Sequence, residues 1–359
     1  MYRYSRGITM SLKSVLKNSY WQIRKRRFMR SQPNTFNISK RKMRKAYRYG
    51  FTPEEYVIYD LDNNPHTDYL SEFDRMMFRD QIKNERIIVD NKIVCYSILR
   101  NFVDVNTIYA YKLHGDVQCT MLEKSVEQNS LVDLLMKLGK LVYKKISLGG
   151  GKGFKLLEYT GDGFFINRTP CSQSDVENLF CSTDNYLVEE YCQQSEFENK
   201  LFPYSVNTIR VITVIHKNKT IEPILSMQRM GVDAEKCVDN ACAGGLYAEI
   251  DVETGVLSAA RSHAKEHIAH SYSNHPVTMT QIAGSIIPNW SSIVNQVVEL
   301  HSKLRFTGLQ FIAWDIALTD EGIKIIEANA SCSMDFAQTF SGQKNGKIGA
   351  WMKEWRYIK

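Results

Sequence analysis

The sequence predicts an α+β protein, on three observations. From residue 140 onward, short apolar runs follow one another through polar or glycine-containing turns, as hairpin-joined strands do. Helical patterns stand singly, one before these runs near 131–138 and one among them near 288–305, and do not alternate with every strand as a doubly wound sheet requires. The last two runs, "LQFIAWDIALTDEGIKIIEANAS" (309–331), have the form of a hairpin turning at Thr319-Asp320-Glu321-Gly322.

A chain of 359 residues is long enough for two or three packed units with real cores. Its 43% hydrophobic and 24% charged content is that of a globular protein, which excludes fibrous and disordered classes. No apolar run approaches the roughly 18 residues of a membrane span. The N-terminus has no apolar segment followed by small residues, so no secretory signal is expected. The 8 cysteines form no CxxC pair, a pattern of reduced thiols in a cytoplasm, not of a disulfide framework or zinc knuckle.

Charge is unevenly spread. Residues 1–50 hold 15 of the 46 Lys and Arg residues and no acid, leaving 31 bases against 39 acids in the rest. In "SLKSVLKNSYWQIRKRRFM" (11–29), Leu12, Val15, Leu16 and Ile23 fall near one helical face. Such a basic amphipathic helix lies on an anionic membrane surface or packs on its own protein with a solvated basic face. Nucleic acid is disfavoured, because no recognised binding motif accompanies the charge. Pro33 marks a break before a second basic helix, Ser39 to Tyr49.

The remaining elements follow in order. A helix is expected near Tyr69–Asn84, then short strands around Ile87–Val89 and Thr107–Tyr111. The helix at Leu131–Leu138 leads to strand "KLVYKKI", the loop "SLGGGKG" (147–153), and strands "FKLLEY" and "FFINR". Three further strands are "NYLVEEYC", "SVNTIRVITVI" and "TIEPILSMQRM", and "GGLYAEIDVETGVLSAAR" reads as a hairpin. Pro288 and Asn289 open a helix to about Arg305 that stops before Gly308.

Charged residues inside apolar strands are costly unless something pairs with them. Glu327 and Asn329 share a strand face, and Asp315 can face them across the ladder. Two carboxylates and an amide oxygen suit Mg²⁺ or Mn²⁺, especially where phosphate oxygens complete the shell. "SLGGGKG", with Gly149, Gly150, Gly151 and Gly153, can turn backbone N–H groups toward an anion. It is no Walker A loop, since Lys152 precedes Gly153 and a strand follows, so it reads as a lid between two strands. Lys144, in the strand feeding the loop, is placed to reach phosphates, while Lys145 points to the opposite face. "YLVEEYC" is an apolar edge that can offer backbone groups to an adenine, with Glu189 fixing the local geometry. Arg210, inside an apolar strand, needs an anion or a structural ion pair.

In this order the pieces resemble an ATP-grasp enzyme. More narrowly, "SVNTIRVITV", "DNACAGGLYAEID", "HPVT", "IPNW" and "WDIALTDEGIKIIEANAS" resemble the sugar-transfer-associated ATP-grasp family, related to α-L-glutamate ligases. The similarity covers roughly residues 85 to 340 and is specific in the last 140 or so of these. Where ATP-grasp strands often read Lys-Pro, this chain has Lys144-Lys145.

The resemblance implies two α+β subdomains clasping ATP. Its parts are a basic helical extension (1–50), a pre-ATP-grasp-like region (51–122), a lid subdomain with glycine loop and adenine hinge (123–200), a catalytic subdomain (201–345) and a tail (346–359). By position it implies that Lys144 holds phosphates and that Glu189, Glu190, Tyr191 and Cys192 line the adenine pocket. Glu196 or Glu198 takes the ribose hydroxyls, Arg210 meets the γ-phosphate or acyl phosphate, and Asp315, Glu327 and Asn329 carry Mg²⁺ or Mn²⁺. Asn207, Arg229, Asn240 and His275 match positions on the acceptor side.

The implied activity is ATP-dependent carboxylate–amine ligation through an acyl phosphate, joining an amino acid to a sugar or lipid-linked glycan in surface polysaccharide biosynthesis. It is expected in the cytoplasm, peripheral at the inner face of the membrane if residues 1–50 hold it there. Rival readings are an ATP-grasp kinase acting on a hydroxyl, and a nucleotide-binding tether for a glycan-assembly complex. A third is a zinc peptidase, in which "HAKEH" places His263 and His267 on one helix face around Glu266.

Overall fold

The computed structural model describes residues 12–119, 128–147, 151, 153–265, 267–268 and 270–358. Among the described residues, thirteen strands form two antiparallel sheets. The first comprises β1 (Ile108–Leu113), β2 (Asp116–Cys119), β3 (Lys140–Lys145), β4 (Lys155–Thr160), β5 (Gly163–Ile166), β6 (Thr169–Cys171) and β7 (Tyr186–Glu190), in the order β2-β1-β7-β3-β4-β5-β6. The second holds β8 (Thr208–Ile215), β9 (Ile221–Met230), β10 (Leu246–Ile250), β11 (Arg261–Ser262), β12 (Phe311–Thr319) and β13 (Gly322–Asn329), ordered β11-β10-β9-β8-β12-β13.

Alternation decides what each face of the first sheet meets. Leu141, Tyr143, Leu157, Tyr186 and Val188 face one way and pack against Leu131, Leu135, Val176 and Phe180 of α7 (Gln128–Leu138) and α8 (Gln173–Ser182). Val142, Lys144 and Glu189 face the other way, toward the second sheet.

The second sheet has the larger core. Its strand β12 is buried along nearly its whole length, with Phe311, Trp314 and Ile316 almost fully enclosed. The helix α10 (Trp290–Lys303) covers it with Ile293, Val297 and Leu300. Trp314 donates its indole N–H to Thr213 Oγ1 at 2.8 Å, and the same hydroxyl lies 2.7 Å from His301 Nδ1.

The basic head is not a loose appendage. In α1 (Leu12–Arg30) Met29 is buried, Arg24 forms an ion pair with Asp80 and Trp21 meets the Phe73 ring edge-on. In α2 (Lys40–Tyr49), capped by Ser39, Ala46 is buried in a cluster with Phe51, Tyr56 and Tyr59. The C-terminal helix α12 (Lys347–Glu354) likewise inserts Trp351 between Phe78 and Phe311. The proposed boundary near 122 separates strands of a single sheet, since β1 pairs with β7.

One expected strand is a helix. Residues 87–89 lie in the single turn Ile87–Asp90, which leads through Asn91 into a helix at Lys92–Leu99 capped by the Asn91 side chain. A three-residue β-branched run has no resolvable period, and here it buries Val89 as part of a helical turn.

A buried polar knot joins the second sheet to the helix α9 (Glu196–Leu201). Glu198 accepts a hydrogen bond from Gln228 Nε2 at 2.9 Å, and Asn207 Nδ2 donates to the Glu198 carbonyl at 2.8 Å. Burial, then repulsion from Asp239, pushes the Glu198 carboxyl from 4.5 up to about 8. Between those values the native chain keeps a proton that the unfolded chain has released, so stability falls as pH rises through that interval. Glu198→Gln is expected to flatten the decline in urea midpoint between pH 5 and pH 8. An unchanged decline contradicts the assignment. Trp314→Ala is expected to cost about 3–5 kcal/mol in urea denaturation, because it empties a fully buried aromatic site of the second sheet.

Candidate active site

The two sheets face each other across a cavity of about 140 Å³. The six-stranded sheet contributes one row of side chains across its strands. Thr208 pairs in register with Arg229, Arg210 with Asp315, and Asp315 with Glu327, so all of them project from one face. A bulge beyond Asp315 sets Ile316 against Ile325, leaving Ile326 unpaired and turning both Ile326 and Glu327 into the cavity.

Asp315 is the centre of this row. Its Oδ1 accepts from Arg210 Nε at 2.7 Å and its Oδ2 from Arg210 Nη2 at 2.6 Å, with Arg229 Nη1 also on Oδ2 at 3.1 Å. Burial alone would raise its pKa, but the two guanidinium groups outweigh burial and hold it below the ordinary carboxylate value. Arg229 also binds Asp239 Oδ1 at 2.7 Å, and Asp239 accepts from Thr208 Oγ1. Burial pulls the Arg229 pKa down, yet Asp239 and Asp315 more than reverse it, so Arg229 stays charged.

The opposite wall comes from the seven-stranded sheet. Lys144 Nζ lies 2.6 Å from Glu189 Oε1, with Glu189 buried and Lys144 partly so. Burial raises the Glu189 carboxyl, and Lys144 opposes it. Lys145 points the other way and donates to the Asp184 carbonyl at 2.7 Å. Val142, Phe154, Tyr191, Cys192 and Val238 supply an apolar end to the same cavity. Lys92, which nothing in the sequence pattern marked, stands 3.2 Å from Glu327 Oε1. It lies on a helix with no glycine or motif beside it, and only the fold brings it to β13.

Asp315, Glu327 and Asn329 bring carboxylate and amide oxygens to one face of this sheet. Glu327 and Asn329 line a second cavity, of about 220 Å³, that shares Gly151, Arg229, Asn240 and Asp315 with the first. A carboxylate has about four lone-pair sites, and the guanidinium contacts of Asp315 use three. Two buried oxygens lining these cavities, Asn106 Oδ1 and Ser331 Oγ, have no hydrogen-bond partner among the described residues.

Other expected residues lie elsewhere. Glu196 is exposed on α9 and pairs with Lys200, because the helix turns its first residue outward. Glu198 is buried in the polar knot, so neither carboxylate lines the cavity. Glu190 points away from it, binding Lys324 at 2.7 Å and accepting from the Thr107 N–H at 3.1 Å. Asn207 is fully buried, with its amide used by Glu198, Phe202 and Gly231. His275 is also fully buried, its Nε2 on the Gly231 carbonyl and its Nδ1 accepting from Val277 and Thr278, which pins a turn. Gly149 and Gly150 lie outside the described residues, while Gly151 lines both cavities and Gly153 stands against Lys145.

The zinc reading loses its helix. Lys265, His267 and Ile268 are in turns, His263 is buried against Tyr247, and His267 is exposed beside His270. Glu266 lies outside the described residues, and among those described no cluster of three His, Cys, Asp or Glu side chains could hold a metal.

No curated protein matches the chain in sequence. Among solved structures, the ATP-grasp ligase PsnB complexed with a minimal precursor, Mg and ADP is 10% identical (TM-score 0.39), covering 76% of this chain and 60% of that one. The ADP complex of PurK, N5-carboxyaminoimidazole ribonucleotide synthetase, is 12% identical (TM-score 0.41), covering 74% and 54%. An L-amino acid ligase from Bacillus licheniformis is 10% identical (TM-score 0.40), covering 72% and 45%. The matched region thus spans roughly half the length of those proteins, and likenesses this distant carry no argument about function. The sequence profile of the sugar-transfer associated ATP-grasp family, however, matches residues 75–345, well over half of the chain. The chain belongs to the sugar-transfer-associated ATP-grasp family.

Proposed function

We propose that this protein is an ATP-dependent carboxylate–amine ligase that joins an amino acid to a sugar or sugar-linked acceptor in surface polysaccharide biosynthesis. The observation that carries this reading is the charge pattern of the shared cavity. Lys92, Lys144 and Arg229 line it with Glu189, Asp239, Asp315 and Glu327, beside an apolar end. Tyr191, Cys192, Val142 and Phe154 take the adenine, and Lys144 holds phosphate oxygens when Glu189 yields it. Asp315, Glu327 and Asn329 hold Mg²⁺ or Mn²⁺. The ion, when bound, neutralises phosphate charge.

Arg210 and Arg229 then face the carboxylate substrate as it takes the γ-phosphoryl group, already oriented by Asp315. Preorganised cations of this kind lower the barrier without reorganising during reaction. The chemistry needs no enzyme nucleophile, because the amine attacks the acyl phosphate directly.

Residues 12–30 support a place at an anionic membrane surface. Tyr20, Ile23, Arg26, Arg27 and Arg30 are exposed along one side of α1, while Met29 faces the body. Among the described residues no helix is long and apolar enough to cross a membrane.

Two outcomes are expected. ADP release requires a carboxylate and an amine together in a screen of amino acids against amino sugars and uronic acids, and Glu327→Ala or Arg210→Ala abolishes it while leaving the circular-dichroism spectrum intact. Release driven by a hydroxyl acceptor alone identifies a kinase instead. The triple variant Arg26→Gln, Arg27→Gln, Arg30→Gln binds phosphatidylserine vesicles at least about tenfold more weakly, since each basic residue contributes about 1 kcal/mol. Equal binding by wild type and variant removes the membrane role.

A further inference from the structure

The cleft between α1 and the helix α4 (Glu72–Gln81) holds a cavity of about 240 Å³ that the chemistry above does not use. Arg75, Arg79, Lys83 and Arg86 line it, and Phe28 of α1 and Met76 give it an apolar wall. Residues 75, 79 and 83 are four apart, so α4 and the turn that continues it bring them to one side. The two acids of the cavity are already engaged. Glu72 pairs with Arg75 one helical turn on, and Asp80 pairs with Arg24 of α1. Arg86 pairs with Asp90 at 2.7 Å, but their side chains are 30% and 43% exposed, and a pair this open contributes little.

The side chains of Arg79 and Lys83 have neither a hydrogen bond nor an ion pair among the described residues. Arg79 is half-buried. Burial lowers its pKa, and Arg75 and Arg86 lower it further, with Asp90 and Glu72 in partial opposition. A guanidinium keeps its proton even so, which leaves five N–H donors beside like charges in a half-enclosed site. A charge held this way is costly unless an anion meets it. Two guanidinium groups and an ammonium suit an anion with several acceptor oxygens, and a phosphate monoester offers three, with a charge of about −1.5 to −2 at pH 7. A carboxylate brings one charge and two oxygens to the same cluster.

The place of the cleft fits this chemistry. Arg24, bound to Asp80 at the cavity, is four residues from Tyr20 and three from Arg27, so it borders the exposed face of α1. The cavity therefore lies along the flank of the basic face, with an apolar wall beside its cations.

We propose that the α1–α4 cleft binds a phosphate monoester, gripped by Arg79, Lys83 and Arg86, with the organic part of the ester against Phe28 and Met76. The site is separate from the ATP cavity and does not rest on the ligase reading. A lipid headgroup and a soluble phosphate ester share this chemistry, and the two arms of the test separate them.

In the first arm, the ¹⁵N–¹H signal of the Arg79 Nε–H in the full chain is identified by its loss in Arg79→Gln. It is then followed as glycerol 3-phosphate is added, with dimethyl phosphate, a diester of one charge, as control at equal ionic strength. The monoester is expected to shift the signal saturably, with an affinity at least about tenfold above that of the diester. Arg86→Gln is expected to weaken the response about tenfold. The triple variant Arg26→Gln, Arg27→Gln, Arg30→Gln keeps it, because those side chains lie outside the cleft. Because Arg79 has like charges for neighbours, Arg79→Gln is expected to melt no lower than wild type. A lowered melting temperature assigns Arg79 to the fold and overturns the proposal.

In the second arm, wild type and Arg79→Gln are bound to phosphatidylcholine vesicles carrying phosphatidic acid or phosphatidylserine, matched in zeta potential. Phosphatidic acid has a phosphate monoester and phosphatidylserine a diester. A preference of at least about tenfold for phosphatidic acid, lost in Arg79→Gln, supports the site with a lipid headgroup as its ligand. Equal vesicle binding with the glycerol 3-phosphate response intact supports the site with a soluble ester as its ligand. No response in either arm, equal responses to monoester and diester, or a phosphatidic acid preference that survives Arg79→Gln overturns the proposal.

Discussion

The candidate site depends on one buried carboxylate held between two guanidinium groups. Removing charges from water costs several kcal/mol each, and only close partners with good geometry repay it. Asp315 is paired in register with Arg210 on the neighbouring strand and is reached by Arg229 from the strand beyond. The β8–β9–β12 register therefore fixes the relative positions of all three. Because Asp315 pairs with both and Asp239 with Arg229, both arginines stay charged although they are buried.

Around that centre, acids and bases balance. Lys92 stands against Glu327, Lys144 against Glu189, Arg210 against Asp315, and Arg229 against Asp239. Lys144 and Glu189 belong to one sheet and Arg229 and Asp315 to the other, so the two walls of the cleft each carry their own ion pairs. The basic head packs on this body through Met29 and Ala46.

Much of this was legible before any coordinates. Strand alternation in "KIIEAN" was enough to put Glu327 and Asn329 on one face, and the charged residue in "FIAWDIAL" was enough to demand a partner. The lysine preceding the glycine loop was separable from its neighbour by alternation alone. Lys92 was not legible, because its helix carries no motif, and neither was Asp239, which reaches the site from a loop. His275 and Asn207 were misplaced for a related reason. A polar residue in a motif can serve the backbone as readily as a substrate, and here both satisfy buried N–H and C=O groups around Gly231.

The sequence by itself determined most of the strands from residue 140 onward, the family and the polarity of those strand faces, because side-chain period and turn chemistry are local. Only the tertiary structure decided which charges meet. Arg210 and Asp315 are 105 residues apart and Lys92 and Glu327 farther still. Their pairing depends on sheet register and on how one sheet lies over the other, and no local pattern of residues encodes either.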